Sequence, residues 1–164
     1  MTHSTTIPAG LALGLGTVSG LRSMSGPALL SRAAARGELD GLQGTRFAFL
    51  MRKRVSTVLT VVALGEMVAD KSGLVPDRIA WGPLAGRAAA GGLVGAALFS
   101  ASGAPWAAGA ALGSLAAVAA SYAGYTFRVV PHRKFGIPDP ILGLVEDAIV
   151  VVAGTAVLRR RPST

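Results

Sequence analysis

The last apolar run of the chain, Pro138 to Leu158, contains two adjacent acids, Glu146 and Asp147. From Pro140 to Leu158 the run is long enough for about 28 Å of helix at 1.5 Å per residue, close to the hydrocarbon thickness of a bilayer. Both acids fall near its middle. A charge there costs roughly 2.5 to 3.5 kcal/mol on insertion scales. The pair must therefore face protein or water, or hold a proton, and the rest of the chain has to supply that environment.

Composition places the chain in the same class. Of its 164 residues, 51% are hydrophobic and 15% charged, and mean hydropathy is +0.54. Soluble domains carry about 25% charged residues. The apolar matter is mostly Ala, Gly, Val and Leu, which suits helices packed through small residues. With no cysteine, disulfides, Cys-ligated metals and thiol chemistry are excluded. The formal charge of +8 comes from basic residues at the ends of apolar runs without aromatic interleaving. That pattern points to anionic headgroups and away from nucleic acid. Met1 to Ile7 holds no Lys or Arg, so the first apolar run is expected to stay in the mature protein.

Five spans are predicted in one all-α, polytopic membrane domain covering 1–164, at about 8–30, 55–70, 84–102, 107–127 and 140–158. The first is interrupted at Arg22 and then by Ser23, Met24, Ser25, Gly26 and Pro27. Gly26 can take a left-handed stop position and Pro27 the first position of a new helix, which runs to a stop at Gly37. Two readings stay open: a broken helix that forms a site, or a span that ends near Ser23. Gly37 to Gly44 reads as a polar turn with Glu38 and Asp40, and Arg46, Arg52, Lys53 and Arg54 then open a helix beside Phe47, Phe49, Leu50 and Met51, an interfacial amphipathic pattern. Trp81 and Trp106 bracket the third span, and Tyr122, Tyr125 and Phe127 close the fourth before Arg128.

Gly91 and Gly95, and Gly109 and Gly113, stand at the four-residue spacing of close helix contacts, which predicts a homo-oligomer or contacts within one subunit. With the N-terminus outside, nine cations fall on the inner side and six on the outer, so the positive-inside rule sets the N-terminus outside and the C-terminus inside. Leu64-Gly65-Glu66 and Leu142-Gly143 ahead of Glu146-Asp147 form an internal echo. If helices one and two correspond to four and five, the repeats are inverted in topology.

Gly20-Leu21-Arg22, Gly65-Glu66 with Ala69-Asp70-Lys71, Gly82-Pro83-Leu84-Ala85-Gly86-Arg87, and Glu146-Asp147 before a Val-rich end resemble, in order and spacing, a bacterial membrane family known only as a domain of unknown function, family 4126. The resemblance covers most of Leu13 to Gly154. It implies a multi-span protein of the bacterial inner membrane and no established reaction.

The charges expected to meet inside the bundle are the acids Glu66, Asp70, Glu146 and Asp147 and the arginines Arg22, Arg87 and Arg128. A transport reading makes Glu146, Asp147 and Glu66 a cation or proton site beside the broken helix. A lipid-phosphate reading uses Arg22 with Ser23, Ser25 and backbone N–H groups at the new helix start. A structural reading makes the charges a buried ion-pair network that fixes helix register. An enzyme is not expected: His3 and His132 lie in flanks, and no nucleophile or metal-ligand spacing appears. No cofactor is expected, and the sequence leaves the identity of any bound metal open.

Overall fold

The computed structural model describes residues 6–69, 80–136 and 138–159. All regular structure there is helical: α1 (Thr6–Leu21), α2 (Ser25–Ala35), two short 3₁₀ turns (Asp40–Leu42 and Ala48–Met51), α3 (Lys53–Ala69), α4 (Trp81–Ala101), α5 (Trp106–Phe135) and α6 (Asp139–Arg159). Among the described residues, Trp81–Ala101, Trp106–Phe135 and Ile141–Leu158 are long and apolar enough to cross a membrane, and Ala9–Leu21 is a shorter apolar helix. These three suggest a membrane protein.

Glycine and alanine decide how the helices pack. In the largest interface, α4 runs antiparallel to α5, with Gly91 on Gly113 and Gly95 on Gly109, so close that a Cβ at any of these glycines would meet the opposing backbone. Along the same face of α5, α1 runs parallel, with Gly16 against Gly113 and Ala116 and Gly20 against Ala117 and Ala120. The register makes Gly16, Gly91 and Gly113 one layer and places Arg87, one turn before Gly91, near the layer of Gly20 and Ala117. The glycine pairs considered for a subunit interface are thus occupied within the chain. A Cβ added at Gly82 or Gly86 of α4 would meet nothing within 4 Å among the described residues.

The break after α1 does not continue the span. At Arg22 to Met24 the chain turns, and α2 packs back along α1: Gly26 lies against Ser19 Oγ and the Leu15 carbonyl, and Leu29 and Val18 both approach Gly154 of α6. The stretch 8–30 therefore falls within a helical hairpin, Thr6–Leu21 and Ser25–Ala35, of 16 and 11 residues, and both ends of the hairpin lie at one end of the bundle. Gly26 is not the left-handed stop. It sits inside the first turn of α2, where any side chain would run into Ser19, and close approach is what demands glycine. The stop at Gly37 does form, with φ +77°: Gly37 N–H donates to the Ala34 carbonyl and Glu38 N–H to the Ala33 carbonyl, satisfying the last carbonyls of α2.

The segment 37–52 also departs from expectation. It forms 3₁₀ turns that bury Leu42, Phe47 and Leu50 in the main core beside Ala12, Leu15, Leu30, Val94 and Phe99. Too much of its apolar surface is bent inward for an interfacial helix. Ser31 Oγ donates to the Leu50 carbonyl at 2.6 Å, and the Arg46 guanidinium lies 4.9 Å from the Trp106 ring centroid, so the segment closes this end of the bundle. From there α3 runs to the opposite end, α4 returns, α5 leaves and α6 returns, with Val157 meeting Gly14 of α1. The ends of the described chain thus lie together, contrary to the expected placement of the termini on opposite sides. An odd number of crossings requires α1 and α2 to form one continuous span, and the chain reverses between them. The α5 helix also runs past 127 through Pro131 to Phe135. Pro131 has no N–H to donate, so one bond of the ladder is lost near the exposed helix end, and the helix continues.

Candidate functional site

The hairpin tip gathers the charges. Arg22, the first residue after α1, is 1% exposed. Its Nε donates to Asp147 Oδ1 at 2.8 Å, and its Nη2 lies 2.7 Å from the same oxygen. Asp147 belongs to α6, whose antiparallel course beside α1 carries residue 147 to the level of residue 22. From the opposite direction α3 brings Glu66. Its Oε1 accepts the Ser23 N–H and its Oε2 the Met24 N–H, each at 2.9 Å.

This second contact explains why the break is stable. A new helix starts with backbone N–H groups that have no partner in the preceding turn, and it carries partial positive charge there. No side chain of Met24 caps α2. The Glu66 carboxylate does so from another helix, with both oxygens. It fills the place the phosphate was expected to take: the donors of Ser23 and Met24 are occupied, and Arg22 is engaged with Asp147.

Glu146 is 2% exposed, the most buried carboxylate among the described residues. It neighbours Asp147 on an α6 whose outward face carries Leu144, Ile149 and Val152, all exposed. Arg87 is 4% exposed, on the layer of Gly20. Two guanidiniums and three carboxylates therefore stand near one level of the bundle.

The family described as a domain of unknown function (DUF4126) matches residues 9–159. The chain belongs to this family. The match takes in all but the first three residues of the hairpin together with α3, α4, α5 and α6, so the knot at the tip lies inside the DUF4126 domain. No curated protein and no solved structure matches the chain.

Of the other expected site residues, Asp70 lies outside the described residues. Arg128 is on α5, whose backbone there is two turns beyond Ser121; Ser121 itself is at the tip, its Oγ donating to the Gly20 carbonyl at 3.0 Å. That backbone position separates Arg128 from the layer of Arg22. Among the described residues, no three His, Cys, Asp or Glu side chains gather closely enough to hold a metal ion. Glu66 reaches the tip from α3, and Glu146 and Asp147 reach it from α6.

Ser19 and Ser121 were missed as site residues, whereas Ser25 was expected beside Arg22 at the new helix start. Ser19 is fully buried and bonds the Leu15 carbonyl, Ser121 braces the last turn of α1, and Ser25 is 4% exposed with no hydrogen-bond partner for its hydroxyl among the described residues. A signal was present in the sequence: Ser19, Ser25 and Ser121 interrupt apolar runs, where a hydroxyl facing lipid would gain nothing.

Proposed function

We propose that the chain is a multi-pass protein of the bacterial inner membrane in which α3, α4, α5 and α6 cross the bilayer, the α1–α2 hairpin enters from one side only, and the hairpin tip is a transport site for a proton or a small monovalent cation. The Ser25 hydroxyl carries the reading. A buried hydroxyl left without a partner costs roughly 1–3 kcal/mol, which a water, a proton carrier or a small cation at the tip would remove. Charge supports the same reading. Among the described residues, three carboxylates against two guanidiniums leave one negative charge in excess, which one proton or one monovalent cation neutralises. Irregular backbone at membrane depth is tolerated where protein buries it or a cavity meets it, and the turn at Arg22 to Met24 is of that kind. Exchange is assigned to Glu146, the most buried carboxylate among the described residues.

The test is flux in proteoliposomes with an entrapped pH dye, under imposed proton, Na⁺ and K⁺ gradients. The parent should pass one of these ions above protein-free vesicles, and Glu146→Gln should abolish that flux while remaining folded. A parent indistinguishable from empty vesicles, or unchanged flux in Glu146→Gln, would reject the site.

A second reading rests on the same bonds. Asp147 and Glu66 fasten the hairpin to two other helices, so the knot can serve purely as a structural lock within a scaffold or assembly protein. Parent vesicles without flux, together with loss of stability in each charge variant, would favour the lock. The lipid-phosphate reading at Arg22 has less support, because Glu66 and Asp147 occupy the donors it needs.

A further inference from the structure

We infer that the groove between α2, α3 and α6 binds one acyl chain of an anionic phospholipid, with its phosphate between Arg32 and Arg36. This goes beyond the transport reading and does not depend on it. Two adjoining cavities form the groove. The deeper, about 190 Å³, is walled by Ala28 and Leu29 of α2, Ala63 and Met67 of α3, and Val150 and Val151 of α6. It exceeds the roughly 150 Å³ that suffices for a benzene-sized apolar guest. The outer one, about 480 Å³, shares Leu29, Arg32 and Thr155 with it and adds Arg36, Glu38 and Leu158.

The groove is apolar inside and cationic at its mouth. Arg32 and Arg36 are four residues apart on α2, hence on one face. Arg32 is exposed and makes no ion pair among the described residues. Arg36 reaches Glu38 only at 3.7 Å, with both side chains largely in solvent, a pairing too weak to hold it from a phosphate. From Ser25 at the closed end to Arg32 and Arg36, α2 rises about 10 to 16 Å, near half of a roughly 30 Å hydrocarbon core. A chain lying there reaches from headgroup level to the middle of the bilayer. A protein segment in the same place would leave its backbone N–H and C=O groups against apolar walls, whereas an acyl chain has none to satisfy.

Native mass spectrometry tests this on full-length protein taken from vesicles of equal phosphatidylcholine and phosphatidylglycerol. The parent should retain one phosphatidylglycerol in roughly tenfold preference to phosphatidylcholine, as expected for two basic contacts. Arg32→Gln with Arg36→Gln should lose that preference, and Arg52→Gln with Arg54→Gln, exposed cations at the same end, should keep it. Thr60→Phe, which fills the deeper cavity, should release the lipid. No preference in the parent, a preference surviving in the Arg32/Arg36 variant, or an equal loss in the Arg52/Arg54 variant would overturn the proposal. Displacement by inorganic phosphate alone would also overturn it, since the anion would then be bound without its chain. The arginine pairs are exposed and decide the matter even where Thr60→Phe fails to fold.

Discussion

Arg22 sets both its Nε and its Nη2 on a single oxygen of Asp147, at 2.8 and 2.7 Å, across 125 residues of sequence. One contact thus ties the turn of the hairpin to the middle of the last helix. Arg22→Gln strands a buried carboxylate and should cost about 3–5 kcal/mol, the usual penalty for removing one partner of a buried pair. Arg22→Met with Asp147→Leu should recover a large part of it, because neither charge then needs solvation. Thermal unfolding in mild detergent of the two single variants and the double gives the coupling; additive losses would show that the pair is not a unit.

Glu66 makes a different prediction, since its partners are backbone N–H groups that only a proline substitution would remove. Glu66→Ala leaves the Ser23 and Met24 N–H groups without acceptors, and Glu66→Gln replaces one acceptor oxygen by a donor that faces a donor. Alanine should cost about 1–3 kcal/mol and glutamine a large part of that. Hydrogen exchange should accelerate at the amides of 23 and 24 in both variants. Unchanged protection there would mean that the carboxylate does not cap α2.

Gly95 was a candidate for a subunit interface, yet its missing side chain is what lets Gly109 approach from α5. Gly95→Leu should therefore destabilise the monomer by forcing α4 and α5 apart, with no change in the mass of whatever protein remains folded. A folded variant with altered oligomeric mass would return Gly95 to the interface.

Much of this was readable before any coordinates. The starts of α4 and α5 follow from Trp81 and Pro105, and the stop at Gly37 from the residue that tolerates φ +77°. The meeting of Arg22 with an acid of the last helix was also legible, because buried charges in so apolar a chain have few places to go. The direction of α2 was not. A break written Arg-Ser-Met-Ser-Gly-Pro fits a kinked span as well as a reversal, and the deciding contacts, Gly26 on Ser19 and Leu29 on Gly154, depend on packing between helices remote in sequence. The partner of Glu66 was hidden for a similar reason: the acceptor is a carboxylate, but the donors are main-chain groups common to every residue.

That reversal changes the expected topology. Gly14 lies against Val157, so the start of α1 and the end of α6 share one end of the bundle, together with Trp106 and Arg46. Residues 36–54 and 159–161, which carry most of the basic side chains outside the knot, belong to this end or continue the chain from it. Cytoplasmic loops are enriched in Lys and Arg, so the same end should face the cytoplasm. Fusions of a phosphatase active only outside the membrane and of a fluorescent protein active only inside should report both termini as cytoplasmic, with a fusion after Phe135 reporting the outer side. Termini on opposite sides would mean that α1 crosses the bilayer by itself. The Glu66 cap on α2 would then have to be broken in the membrane, because α2 could not return beside α1 to present Ser23 and Met24 to it.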